Sequence, residues 1–380
     1  MLALRLVRGT PPLVLLRRLL VAAAAAGVGF LLLCTLGYAV GHPDRSASSV
    51  PRLLWCVVPL AATVHLAVAV ARTDPSTRPR PGLSAVGLGP ARLTALAAAS
   101  TAVSCTLGSV VALLLYLHLR GDLTGLPFDG AAAELLARDQ PVPLAAALTL
   151  LAVLPVLAST AAGLALRPGR SAASEGVERT TPSGLPWGVA LLALGLAVET
   201  YAGQGGGNGD FPLPGRFGAS PGGVLAGWVL TAAGLVVAGP GITHWCGRLL
   251  QAVRPGAVRL LAGRVLMDES RRLGRPLGLV CAVASGALAS VRLYGSGPGD
   301  FGPLTGLGAA LVTACTTATL LTAALESRQC RAHTAAALLR LGAPPTVLRT
   351  VALLRAGVLL AVFLPLTWLV AELAAVPLRG

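Results

Sequence analysis

Lysine is missing from this sequence: all 30 basic residues among its 380 are arginine. The absence excludes the lysine that holds phosphates in a Walker A loop, the lysine of a Schiff base and the phosphate-pairing lysine of kinases. We therefore do not expect the chain to hydrolyse ATP by the usual P-loop route. The sequence predicts no cofactor.

Charge in general is scarce, because charged residues make up 12% of the chain and apolar residues 54%. A soluble globular protein has roughly a quarter of its residues charged. With a mean hydropathy of +0.75, the composition predicts an integral membrane protein. The few His, Asp and Glu residues do not cluster at one surface, so a membrane enzyme has no candidate catalytic residues.

The cysteines also form no recognisable framework. There are seven, and no two have the CxxC spacing. The pattern predicts neither a set of disulfides nor a zinc site, and no metal ligands are proposed. Small apolar packing residues are the expected role.

Nine apolar segments are long enough to cross a bilayer as helices. They are residues 19–40, 53–71, 93–119, 143–166, 185–201, 222–242, 276–294, 304–325 and 351–376. The sequence therefore predicts an all-α polytopic transmembrane helix bundle with nine spans.

The arginines are distributed unevenly between the two sides that these spans define. If the N-terminus is cytoplasmic, 23 of the 30 arginines fall in cytoplasmic segments. This positive-inside asymmetry predicts a multi-pass protein of the plasma membrane with its N-terminus inside and its C-terminus outside. The formal charge of +15 then follows from topology. The expected partner is the lipid bilayer, and no nucleic acid is predicted.

An internal repeat links the two ends of the chain at an offset of 255 residues. At this offset Leu83 aligns with Leu338, Gly87 with Gly342 and Pro90 with Pro345, without a gap. The first apolar span falls on the seventh, so the similarity extends over three helices. We predict two parallel repeats, spans 1–3 and spans 7–9, with an insert between them.

The repeat and the charge pattern together divide the chain into five segments. Residues 1–18 are predicted to be a cytoplasmic amphipathic N-terminus, and residues 19–166 the first four-span unit. The later segments are a linker with a two-span insert (167–242), a basic cytoplasmic segment (243–275) and a second unit lacking its last span (276–380).

Two ionisable residues fall within predicted spans, where such groups are functional candidates by default. His65 has no acidic neighbour in its helix, which favours a residue hydrogen-bonded between helices. Glu199 lies near the outer end of the fifth span, where it is interpreted as marking the end of the helix.

The segment between the last two spans carries the most informative motif. Residues 331–349 read RAHTAAALLRLGAPPTVLR and resemble the connection between helices two and three in each unit of FtsX-like ABC transporter permeases. The family has a helix ending in Leu-Arg-x-Leu-Gly at this place. Leu338, Leu341 and Gly342 match it, whereas Arg340 sits one place late. Residues 86–93, VGLGPARL, are similar.

The resemblance implies a permease subunit whose cytoplasmic connections receive a separate ABC ATPase subunit. It further implies a peptide or lipid-like substrate and leaves open a second permease copy. The ATPase would contact eight residues: Leu338, Arg340, Leu341, Gly342, Pro345, Leu83, Gly87 and Pro90.

Other interpretations remain open on the sequence. A secondary transporter also uses parallel repeats, and it predicts buried carboxylates or broken helices near the middle of the membrane. The short outer loop after the first span and the missing last span are also compatible with a non-transporting accessory membrane protein. The last connection would then be an ordinary basic turn between spans.

Overall fold

The computed structural model describes most of the chain as long helices. The described residues are 12–42, 46–74, 90–122, 130, 132, 136, 143–167, 184–204, 210–211, 220–252, 256–294, 303–342 and 344–375. The helices are α1 (Pro12–Gly41), α2 (Ser46–Thr73), α3 (Pro90–Arg120), α4 (Leu144–Ala165), α5 (Gly184–Gln204), α6 (Gly222–Ala252), α7 (Ala257–Tyr294), α8 (Pro303–Arg340) and α9 (Pro345–Ala375).

Within this described part, nine helices are long and apolar enough to cross a membrane. Each corresponds to one of the nine predicted spans, so the prediction of nine long apolar helices is confirmed, and these helices indicate a multi-pass membrane protein. One departure is a short antiparallel pair of two-residue strands, β1 (Asp210–Phe211) and β2 (Ser220–Pro221). The pair lies between α5 and α6, in a connection predicted as an outer loop.

Two helices extend well beyond the apolar segments that predicted them. Helix α7 begins at Ala257 and passes through Pro276, where the span was predicted to begin. Helix α8 continues to Arg340, so the predicted connection at residues 326–350 reduces to residues 341–344. Residues 326–340 contain no glycine or proline, and a polar stretch without such breakers continues a helix already begun.

The described helices belong to two compact units. Among the described residues, unit 1 comprises those within 12–167 and 303–315, and unit 2 comprises those within 184–211, 220–294 and 316–375. Helix α8 thus contributes its first part to unit 1 and the rest to unit 2. Helices α5 and α6, from the predicted insert, belong to the same unit as α7 and α9.

Unit 1 is organised around α1, which packs against α2 and α3, while α4 packs against α2 and α3. Its core contains Leu33, Cys34, Ala112, Tyr116, Leu136, Ala147 and Leu151. The Ser109 hydroxyl donates a hydrogen bond to the Leu151 carbonyl oxygen at 3.1 Å, which joins α3 to α4. An ion pair between Arg18 and Asp74, with 2.6 Å between Nη2 and Oδ2, joins α1 to the end of α2.

Unit 2 is organised around α6, which packs along both α5 and α7, and α7 in turn packs against α9. One core cluster contains Leu235, Cys281, Phe363 and Val370. A second contains Cys246, Leu250, Ala262, Leu266 and Val351, and joins α6, α7 and α9. The second cluster lies beside the first turns of α9 and so supports the connection between α8 and α9.

Helices α3 and α9 have the same length and the same place in the predicted repeat. Each has 31 residues, and the offset of 255 places Pro90 on Pro345 and Arg120 on Ala375. Helix α3 packs against α1 and helix α9 against α7, which are equivalent pairs at this offset. The repeat itself stays a prediction, with these equivalences in its favour.

Candidate functional site at the α8–α9 hairpin

The predicted contact residues of the second repeat lie together at one turn. Helix α8 ends at Arg340, Leu341 and Gly342 form the turn, and Pro345 begins α9. The backbone of Leu338 lies one turn before, in α8. In the first repeat Pro90 begins α3, whereas Leu83 and Gly87 lie outside the described residues. We call residues 331–355, with both arms and the turn, the α8–α9 hairpin.

Backbone geometry explains why the chain reverses at this place. The amide of Leu341 donates to the Ala337 carbonyl and the amide of Gly342 to the Leu339 carbonyl, both at 3.1 Å. Gly342 has a φ of 87°, a left-handed conformation that glycine adopts without steric cost and that ends helices. Pro345 suits the first position of α9 because that position needs no backbone donor.

The tip of the hairpin is exposed. Leu341 keeps 84% of its surface accessible and Leu339 keeps 46%, and Arg340 between them is exposed as well. None of the described side chains between residues 328 and 350 is buried. Apolar side chains beside an arginine at an exposed tip are typical of a surface that binds another molecule.

Helix length places this tip away from the apolar part of α8. A helix needs roughly 20 residues to cross the hydrocarbon core of a bilayer, whereas α8 has 38. Its apolar segment is at residues 304–325, so the following 15 residues extend about 22 Å beyond it at 1.5 Å per residue. The hairpin therefore has the reach to meet a partner in water.

At the base of the hairpin, one carboxylate contacts both arms. Glu269 of α7 forms an ion pair with Arg331 of α8, with 2.6 Å between Oε1 and Nε. Its other oxygen, Oε2, accepts a hydrogen bond from Nη2 of Arg355 in α9. The side chains of Glu269 and Arg355 are 9% and 8% exposed, so this pair is held largely away from water. We call these three residues the Glu269 bridge.

Further polar contacts orient the arginines of the bridge. Arg331 also donates from Nε to the Ser327 carbonyl at 3.1 Å and from Nη2 to the Ser327 hydroxyl at 3.3 Å. Nearby, Arg272 of α7 donates from Nη1 to the Cys330 Sγ at 3.3 Å. Two contacts thus join α7 to the last turns of α8.

The local sequence explains why Glu269 faces inward. Residues at the spacing of Ala262, Leu266, Glu269 and Leu273 share one face of a helix, and all four are buried. The opposite face carries Arg264, Asp268, Arg271 and Arg275, which are exposed. Glu269 is not among the residues predicted from the sequence, although an acidic residue within an apolar stripe is a signal for such a site.

Glu199 also differs from its interpretation as a marker of the helix end. Its side chain is fully buried between α5 and α6, and the Thr231 hydroxyl donates to its Oε1 at 3.0 Å. Its Oε2 is buried without a hydrogen-bond partner. Close contact of the two helices, which glycines such as Gly195 and Gly227 allow, encloses the carboxyl group.

The remaining candidates do not form a reactive site. His65 lies on α2 with an exposed side chain. Across the described residues, no group of three or more His, Cys, Asp or Glu side chains is placed to hold a metal ion. Among the described side chains, the hairpin tip offers an exposed surface, and the Glu269 bridge joins both arms of the hairpin to α7.

Comparison of the chain with protein-family models, with curated proteins and with solved structures gives no match.

Proposed function

We propose that this chain is the membrane-spanning permease subunit of an ABC transporter, driven by a separate ATPase through the α8–α9 hairpin. The observation that carries the proposal is the exposed tip at Leu341, held by the Gly342 turn at the end of two long helices. ATP binding and hydrolysis by the partner move the tip, and the helices rooted in it rearrange. The resemblance implies a peptide or lipid-like substrate.

The amino-acid composition supports the proposal that a partner subunit hydrolyses the ATP. The chain has no lysine and so lacks the phosphate-binding residue of a P-loop ATPase. A transporter built on it needs an external source of energy. The hairpin supplies a compact surface for such a subunit, since it combines exposed leucines with Arg340 and Arg349.

The predicted repeat supports a second contact of the same kind. Helix α9 follows the hairpin turn, and α3 has the same bounds at the offset of 255 residues. The residues before α3, including Leu83 and Gly87, are the proposed counterpart of the turn. A dimeric ATPase would then have two connections to receive, one from each repeat.

Co-purification with candidate ATPases tests the proposal, and an adjacent reading frame encoding a Walker A protein supplies the first candidate. We expect the intact chain to capture the ATPase, and Leu341→Glu and Gly342→Asp to lose it. Leu260→Glu is the matched control, because Leu260 is a leucine of α7 that is 41% exposed and lies outside the hairpin. Capture by all three variants would remove the hairpin as the contact, and no capture by the intact chain would count against the permease.

A secondary transporter is the second candidate, and Glu199 is the observation in its favour. A buried carboxyl group inside an apolar helix pair is the feature that this class uses to carry a proton or cation. Helices α4, α6, α7 and α9 also contain the interior prolines Pro155, Pro240, Pro276 and Pro365, although each helix continues through its proline.

Modification by a hydrophobic carbodiimide distinguishes this candidate, because the reagent reacts with protonated carboxyl groups in apolar surroundings. A proton-exchanging Glu199 would be labelled, with labelling that decreases as the pH rises and is absent in Glu199→Gln. Glu372→Gln is the control, since Glu372 lies in α9 with its side chain 25% exposed. An unlabelled Glu199 at every pH would leave the carboxyl a packing element and the permease the better explanation.

A further inference from the structure

The two arms of the α8–α9 hairpin are joined to a third helix through a single carboxylate. Glu269 of α7 contacts Arg331 on the outgoing arm with Oε1 and Arg355 on the returning arm with Oε2. Arg331 lies nine residues before the end of α8, and Arg355 lies ten residues after the start of α9. The arms above the bridge are thus about 14 and 15 Å long at 1.5 Å per residue.

We infer that Glu269 is a positioning residue that fixes both arms of the hairpin to α7, so that force on the tip moves α7, α8 and α9 as one body. The role of Glu269 in coupling rests on the proposed function. Without the bridge, the hairpin would bend at its base when a partner pushes the tip.

Burial makes the Glu269–Arg355 half of the bridge a stronger constraint than an exposed ion pair, whereas the Arg331 side chain is 34% exposed. Surface pairs contribute little because water screens them and the side chains lose entropy. Here the Glu269 and Arg355 side chains are each less than a tenth exposed. Removing one partner of such a pair leaves an uncompensated buried charge, which is strongly unfavourable.

Few other contacts can replace the bridge in the outgoing arm, which belongs to α8. Side chains of the described residues between 328 and 350 are exposed or half-buried. Core packing of the returning arm begins at Val347, which packs against the cluster that contains Val351, Leu250 and Leu266. The Glu269 bridge therefore adds to core packing on the returning arm, whereas on the outgoing arm it is one of the two polar contacts with α7 described above.

Hydrogen–deuterium exchange of the full chain in lipid nanodiscs measures this constraint. We expect Glu269→Gln to increase exchange of the backbone amides in residues 332–354 at least about tenfold. Asp268→Asn is the matched control, because it removes the same charge from the neighbouring, exposed residue of α7, and it should leave the hairpin unchanged. Equal exchange in the two variants would overturn the inference.

Variants of the arginines separate the two arms. Arg331→Gln should increase exchange mainly in residues 332–340, and Arg355→Gln mainly in residues 345–354. If Arg355→Gln fails to fold, Arg355→Lys retains the charge and should retain most of the protection. If each arginine variant increased exchange equally along both arms, the change would reflect general destabilisation and would contradict the bridge.

A complex with the captured ATPase tests the coupling. In the intact chain, ATP binding by the partner should change exchange in residues 257–275 of α7 as well as in the hairpin. In Glu269→Gln, capture should persist, and the ATP-dependent change should be confined to the hairpin. An unchanged response in α7 would overturn the coupling role. Failure to capture any ATPase would count against the permease proposal alone. The exchange measurements on the chain without a partner would still test the Glu269 bridge.

Discussion

At the scale of single residues, Gly342 determines where the hairpin turns. Its φ is 87°, and the space around it is open: no heavy atom would lie within 4 Å of an added Cβ. A side chain at this position therefore meets no neighbour, and its cost comes from the left-handed backbone alone. This cost is about 1 to 2 kcal/mol.

We expect Gly342→Ala to increase amide exchange in residues 338–345 by roughly fivefold or more, the equivalent of that strain. Gly357→Ala is the control, since Gly357 lies within α9 and likewise has open space around it. It should leave exchange in the turn unaltered. Equal exchange in the turn of both variants would mean that the left-handed residue does not set the end of α8.

The sequence could predict Gly342 but not the partners of Glu269. A glycine after a helix-forming segment and before two prolines is a local signal for a helix end. The pairing of Glu269 with Arg331 and Arg355 joins residues 62 and 86 positions apart, and no periodicity specifies which helices are neighbours. The buried position of Glu269 was nevertheless visible in the spacing of Leu266 and Leu273.

At the scale of helices, α5 and α6 are held close together by glycine. A Cβ at Gly227 of α6 would lie 2.8 Å from the Gly195 carbonyl oxygen and 2.9 Å from the Glu199 amide nitrogen of α5. Backbone atoms cannot move aside as a flexible side chain can. The helices would have to separate, and the Thr231 hydrogen bond to Glu199 would lengthen with them.

We therefore expect Gly227→Ala to destabilise the protein by about 1 to 3 kcal/mol, as overpacking commonly does. Gly286→Ala is the matched control on α7, because an added Cβ there meets nothing within 4 Å. It should be neutral or slightly stabilising, since alanine favours a helix more than glycine. Thermal unfolding in detergent compares the two, and a similar midpoint for both variants would contradict the close packing of α5 and α6.

The positions of the helices followed from apolar length, whereas their ends did not. Nine apolar segments predicted nine helices, because a span must satisfy its backbone groups internally. The extensions of α7 to Ala257 and of α8 to Arg340 mix apolar residues with several arginines, so they do not stand out as apolar segments. They continue because residues 326–340 contain no helix breaker and because Pro276 is accommodated within α7.

At the scale of the whole molecule, orientation in the membrane decides whether the hairpin can meet an ATPase. The arginine distribution predicts that the hairpin lies on the cytoplasmic side. Of the seven cysteines, six are buried and Cys330 is exposed, and Cys330 lies on α8 just before the hairpin. The unaltered protein thus carries its own reporter for the side on which the hairpin lies.

We expect a membrane-impermeant maleimide to label Cys330 in inside-out vesicles and not in intact right-side-out cells. Labelling should disappear in Cys330→Ser, because the other cysteines are buried in the protein. Cytoplasmic labelling would agree with the 23 arginines assigned to that side. Labelling from outside would invert the topology and place Leu341 and Arg340 beyond the reach of any ATP-hydrolysing subunit. The permease proposal would then fail, whereas the Glu269 bridge would remain a structural feature of α7, α8 and α9.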